Sequence, residues 1–251
     1  MLILTATACD GTGAGPPPTS VALELTEAAE ARNLAADAIL SLLTGGPIAT
    51  STTGTFGGLA LTIEGRIDPS AGDSMLDESI AGVRNQYVLV DDVLYARIYG
   101  IDNPGPDGEP AFTVLEPGPL GEDFRWGPLL AAGRVFGDVA VFTTVLRDAA
   151  GQVLSLGSRD GDAAVQQGYR FVFDSLDVGR VLVDQGQPEV LLPQSGEDTT
   201  TIEIWIDDIV RELSTTGSLY QDGELIDGVQ LTISIDPLES AEIVAPSNTA
   251  R

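Results

Sequence analysis

Apolar side chains recur along this chain with two different periods, and the switch between them divides it. In "TEAAEARNLAADAILSLL", Ala31, Leu34, Ala35, Ala38 and Leu42 return every three or four positions, which predicts one helix over 26–43 with an alanine-rich stripe. Thr26 suits the N-cap, Glu27 and Glu30 fall in the first turn where the helix dipole favours acids, and Gly45-Gly46 stop it. The period then becomes two. In "GLALTIEG", Leu59, Leu61 and Ile63 point one way while Ala60, Thr62 and Glu64 point the other. "NQYVLVDDVLYARI" reads as a hairpin turning on Asp91-Asp92, which pairs Val90 with Val93 and Leu89 with Leu94.

Near the C-terminus "TIEIWIDDIVREL" repeats that pattern around Asp207-Asp208. A two-residue turn there puts Ile202, Ile204, Ile206, Ile209 and Leu213 on one face, with Arg211 as an exception, and Trp205 with Val210 on the other. The last predicted strand, "VQLTISID", directs Val229, Leu231, Ile233 and Ile235 inward. "VAVFTTVL", "QVLSLGS" and "YRFVFDS" read as further strands, and Tyr169, Phe171 and Phe173 share a face of the last. The Gly- and Pro-dense stretch 99–126 reads as a long loop. Strands in a row with short turns favour an antiparallel meander over a parallel sheet.

Five or more such strands present more apolar width than one helix, about 10 Å across, can cover. Either the sheet closes on itself, other segments cap it, or a cavity remains; an aliphatic cavity suits acyl chains better than a polar substrate. Trp205, on the more polar face of its strand, either packs under a loop or lines a ligand site.

Composition narrows the chemistry. The 251 residues include no histidine, one cysteine, 12 basic residues (all arginine) and 38 acidic ones, for a net charge of −26. Without histidine there is no Ser-His or Cys-His pair and the commonest metal ligand is missing, and the absence of lysine removes Schiff-base chemistry. A zinc or redox-metal site is not expected, no cofactor is implied, and the expectation is that the chain is not an enzyme. A surface this acidic repels nucleic acid. Asp91-Asp92 and Asp207-Asp208 are turn residues, "DNPGPDGE" lacks the spacing of a calcium loop, and "GTGAG" is linker rather than a phosphate loop.

The lone Cys9 cannot form an internal disulfide. It follows a short apolar run and the small residues Ala6, Thr7 and Ala8, and precedes "DGTGAGPPPTS", which proline keeps out of helix and central strand. Ala6-Thr7-Ala8-Cys9 resembles a bacterial lipobox, with Ala6 where a larger aliphatic residue is commoner. No basic residue precedes Arg32, so the positively charged part of such a signal is expected upstream of Met1. An exposed thiol without a role is the other reading of Cys9.

The N-terminal helix, "GTFGGLALTIEGRID", "YVLVDDVLYARI", "TTIEIWIDD" and a last strand running to "AEIVAP" together resemble the LppX/LprG-type lipoproteins of actinobacteria, over about residues 25–98 and 200–246. That family shares a half-barrel fold with the LolA lipoprotein carriers. The resemblance implies an α+β domain: a curved antiparallel sheet whose concave face is covered by an N-terminal helix and short helices and holds lipid or lipoglycan acyl chains. It also implies a lipid anchor on Cys9 at the outer side of the bacterial cytoplasmic membrane. The expected organisation is a partial signal (1–9), a tether (10–24), one domain (25–246) and a tail (247–251). The expected protein is a monomeric lipid carrier, with a surface-anchored interaction module of filled core as the alternative. Leu59, Leu61, Ile63, Ile202, Ile204, Ile206, Val229, Leu231 and Ile233 are the candidate cavity residues.

Overall fold

A computed structural model describes residues 20–42, 44–99, 109–115, 139–161, 164–184, 199–221 and 224–249. Twelve strands form one sheet: β1 (Val21–Ala22), β2 (Ile48–Phe56), β3 (Leu59–Asp68), β4 (Asp73–Ile80), β5 (Val83–Val90), β6 (Val93–Ile98), β7 (Thr113–Leu115), β8 (Gly151–Asp160), β9 (Val165–Asp174), β10 (Thr199–Ile206), β11 (Val210–Gln221) and β12 (Glu224–Pro237). Three described helices accompany them: α1 (Leu25–Leu42), α2 (Val139–Asp148) and α3 (Ser175–Asp184). The strand order is β1-β8-β9-β10-β11-β12-β2-β3-β4-β5-β6-β7, with every neighbouring pair antiparallel. Two meanders, β2–β7 and β8–β12, therefore join where β12 pairs with β2, and the sheet stays open at β1 and β7. The expected α+β half-barrel is the architecture found.

Tight turns set the register of the first meander. Asp91 and Asp92 have φ of 52° and 61°, the left-handed pair of a type I′ hairpin, and Val90 faces Val93 as expected. At the seam, Gly54 adopts a φ of 152°, and a Cβ there would stand 1.9 Å from the carbonyl oxygen of Gln230. Only glycine lets β2 and β12 approach so closely at that point.

The second aspartate pair behaves differently from the first. Asp207, Asp208 and Ile209 form a three-residue loop, so Ile206 faces Val210, and a bulge at Arg211 restores Leu213 opposite Ile204. Val210, not Ile209, is the buried neighbour of Ile206, and the extra bulge residue explains why Arg211 breaks the apolar alternation. The Asp207 carboxylate accepts hydrogen bonds from the Ile209 N–H and from Arg211, which close the loop.

Three further elements depart from the sequence reading. "VAVFTTVL" is helix α2 rather than a strand: Phe142, Val145, Leu146 and Ala149 lie on one buried face at helical spacing, and packing overrides the β-branched composition. In α1 the buried stripe runs through Ala31, Ala35, Ala38, Ile39 and Leu42, and Leu34 faces solvent at 45% exposure. Residues Thr113–Leu115, inside the expected long loop, are strand β7, while residues 100–108 and 116–126 lie outside the described residues.

The helices cover one face of the sheet. Ile63, Ile67, Phe171, Phe173, Ile202, Ile204, Ile233 and Ile235 from the strands join Ala35, Ile39 and Leu42 of α1 and Val145 and Leu146 of α2 in one cluster. Arg32 of α1 fastens this layer. Its guanidinium donates to the carbonyls of Leu146 (3.0 Å), Ala149 (2.7 Å) and Gly151 (3.0 Å) and lies 5.3 Å from the Phe173 ring centre. It thereby caps the C-terminal carbonyls of α2, at the negative end of that helix dipole, and ties them to α1 and β8. Replacing Arg32 with alanine strips a cation from three acceptors and should cost about 2–3 kcal/mol. Thermal unfolding should show the midpoint falling by roughly 5–10 °C. Arg32→Lys should recover only part of that, because an ammonium cannot fork across three carbonyls.

Candidate functional site

The candidate cavity residues fall mostly within the helix-covered core. Leu61 and Ile63 on β3, Ile202, Ile204 and Ile206 on β10, and Leu231 and Ile233 on β12 are all buried in the cluster with α1 and α2. Ile202, Ile204 and Ile233 retain no accessible surface. Leu59 is half exposed at the start of β3. Val229 lies in β12 opposite Gly217, and Cys9 lies outside the described residues.

The opposite, convex face carries the cavity. The registers of β2 to β6 align two rows of outward side chains. Ala49, Arg66, Met75, Val88 and Tyr95 make the first, and Ser51, Glu64, Asp77, Gln86 and Arg97 the second. The chain after β12 crosses above them. It is held at one end by the Leu238 N–H on the Pro47 carbonyl (2.8 Å). At the other end the Phe112 N–H donates to Asn248 (2.9 Å), and Phe112 bridges to Thr249. Val88, Val90 and Phe112, with Tyr95 and Ile243, form a second apolar cluster beneath one end of this strap. Beside it a cavity of about 590 Å³ opens, floored by Ala49, Arg66, Met75 and Val88 and walled by Phe112, Val244 and Pro246. Two of its apolar members face solvent, Met75 at 39% exposure and Val244 at 67%.

The polar row is mostly committed internally. Ser51 donates to Glu64 (2.8 Å), Arg84 and Gln86 both donate to Asp77, and Arg97 and Tyr99 both donate to Gln86. Arg97 lies 4.3 Å from the centre of the Phe112 ring and so steadies the residue that holds the strap. Arg66 sits in the apolar row, its cross-strand neighbours being Ala49 and Met75. It is exposed and has no hydrogen-bond or ion-pair partner among the described residues.

Trp205, the other candidate on the convex face, is structural. Its ring is buried above Gly168, where a Cβ would come within 2.7 Å of it, and the Arg159 guanidinium lies 4.1 Å from the ring centre. Arg159 is itself fixed by Gln166 and Glu212. Among the described residues no group of three or more aspartates, glutamates or cysteines is placed to hold a metal ion.

No protein-family profile matches the chain, and no curated protein does. Among solved structures, the crystal structure of the Mycobacterium tuberculosis lipoprotein LppX is similar over 88% of this chain and 100% of that one, with 11% sequence identity and a TM-score of 0.48.

Sequence reasoning missed the convex groove because its floor is assembled from alternate residues of four strands. The one local signal was "AEIVAP", an apolar stretch placed after the last strand with no period of its own. The groove's electrostatics are open to a direct check. The hydrogen bond from Arg84 holds the Asp77 carboxyl below the usual carboxylate range; partial burial opposes this and Gln86 reinforces it. A carboxyl depressed in the folded state contributes stability at neutral pH that fades as pH falls through its folded pKa. Arg84→Gln should therefore move the Asp77 titration upward, as read from its carboxyl carbon shift by NMR. An unchanged titration would contradict the pairing.

Proposed function

We propose that this chain is a lipid-anchored extracytoplasmic protein that binds lipid or lipoglycan acyl chains and shuttles them at the outer side of the bacterial cytoplasmic membrane. The observation that carries the reading is the convex groove: about 590 Å³, walled by Phe112, Val244 and Pro246 over Met75 and Val88. Its volume falls within the range of about 300–1,000 Å³ common for small-molecule sites. The mechanism is physical transfer. Each methylene buried from water gains roughly 0.8 kcal/mol, but a lipid already has that gain in the bilayer, so exchange into the groove is near balance. A near-balanced exchange lets a carrier release as well as bind.

Attachment is assigned to Cys9 in this reading. Diacylation supplies two chains, which suffice for stable anchoring where one does not. The anchor matters here because a net charge of −26 is repelled by acidic headgroups. The second reading, an anchored interaction module without ligand, is favoured by the complete burial of Ile202, Ile204 and Ile233.

The test uses the full chain carrying Cys9→Ser, so that no lipid is attached covalently, purified from a lipid-containing host. Native and denaturing mass spectra are then compared. The carrier reading predicts an excess mass that disappears on denaturation and is recovered as lipid in an organic extract. A bare protein mass, with no uptake of added phospholipid or glycolipid, would favour the interaction module.

A further inference from the structure

The groove holds a cation that the rest of the fold has not used. Nine arginines lie among the described residues, and eight of them are engaged. Arg32 caps α2, Arg84 pairs with Asp77, and Arg97 binds Gln86 and stacks on Phe112. Arg147, Arg159, Arg170, Arg180 and Arg211 form ion pairs with Asp37, Glu212, Glu203, Asp177 and Asp207. Of the nine, Arg66 alone has no partner among the described residues, although the chain carries 38 acidic and 12 basic residues. The register explains this. The side chains directly across from Arg66 on both sides are Ala49 and Met75, and neither offers a charged or oxygen acceptor. The acids in the rows on either side of Arg66 are otherwise engaged: Glu64 by Ser51, Asp77 by Arg84 and Gln86, Asp68 by Ser70 and Ala71, and Asp73 by the Asp91 N–H.

We infer that Arg66 is the headgroup site of the groove, and that the groove selects single-chain amphiphiles bearing an anionic group, carboxylate or phosphate. The inference rests on the reading above that the groove takes acyl chains. The headgroup oxygens receive the planar guanidinium fork of Arg66, a geometry that matches both carboxylate and phosphate. The chain runs from there over Met75 and Val88, beneath Val244 and against Phe112. The protein's own negative field slows the approach of such a ligand. Selectivity is therefore a short-range property that persists at physiological salt, where the Debye length is about 8 Å.

The experiment measures dissociation constants by calorimetry, at physiological salt and below micelle formation, on the full chain carrying Cys9→Ser. Three ligands share one oleoyl chain: oleate, 1-oleoyl lysophosphatidate and neutral 1-oleoyl glycerol. The expected result is binding of both anions about tenfold or more tighter than the neutral ligand, the equivalent of one charge-assisted hydrogen bond. Preference for one anion over the other identifies the source of the headgroup. Arg66→Met should abolish the advantage of the anions and leave the neutral ligand within about twofold, and Arg66→Lys should keep part of it. Val244→Asp, at an exposed position of the wall, should weaken all three. Equal binding of the three by the unsubstituted protein, or an equal loss of all three in Arg66→Met, overturns the headgroup role while the acyl-chain reading stands. Insensitivity to Val244→Asp overturns the placement in this groove. Failure of all three to bind the unsubstituted protein removes the acyl-chain reading itself.

Discussion

The pairing of β12 with β2 joins the two meanders and sets the position of everything on either side of it. Eight residue pairs, from Gln230 opposite Thr55 to Pro237 opposite Ile48, stitch a C-terminal meander to an N-terminal one across nearly two hundred residues of chain. Without this seam neither half makes a closed core: α1 belongs to the first half in sequence, yet it packs against α2 and strands β8, β10 and β11 of the second. The seam also delivers the chain after Pro237 to the rim beside Pro47, from which it crosses the convex face. Both the packed inner face and the strapped outer groove thus follow from one long-range strand pairing. Such pairing costs loop-closure entropy before it returns any contact, so the seam is expected to form late in folding.

The two faces of the sheet solve different problems. On the inner face, small alanines on α1 let it approach α2 and the sheet, and aliphatic and aromatic strand residues fill what remains. Arg32 then ends α2 by satisfying carbonyls that no further helical turn can reach. The outer face has no helix upon it among the described residues. Its polar side chains pair across strands, and its apolar ones gather where the strap crosses. A strap fixed at two ends and spanning a pleated floor cannot fill the space beneath it as a helix would, and the groove is the result.

Much of this was legible in the sequence where the alternation was strong. Strands β3, β10 and β12 carry clean apolar alternation, and the Asp91-Asp92 hairpin was readable in type and register. Strand β2 was hidden because, after Ile48, its inward positions are Thr50, Thr52 and Gly54 rather than aliphatic residues; the two threonine hydroxyls are buried without hydrogen-bond partners among the described residues. Strand β4 was hidden because the polar Ser74 and Glu78 alternate with Leu76 and Ile80 at its inward positions. At Asp207 the same dipeptide as at Asp91 gave a different turn, because a bulge at Arg211 absorbs the extra residue. Helix α2 was misread because β-branched residues suggest a strand, whereas Phe142, Val145, Leu146 and Ala149 make a helical stripe only once α1 is present to receive it. The groove needed the register of four strands and the path of the tail, and neither is written in any local pattern.

Under the proposed function, ligand is expected on the convex face, and the helix-covered face is core. The most direct measurement is photo-crosslinking of the full chain, carrying Cys9→Ser, with an oleate analogue bearing a diazirine on its acyl chain, followed by peptide mapping. Label is expected on Met75, Val88, Phe112 and Val244. Label concentrated on Ile202, Ile204, Leu231 or Ile233 would contradict that expectation and move the site to the inner face.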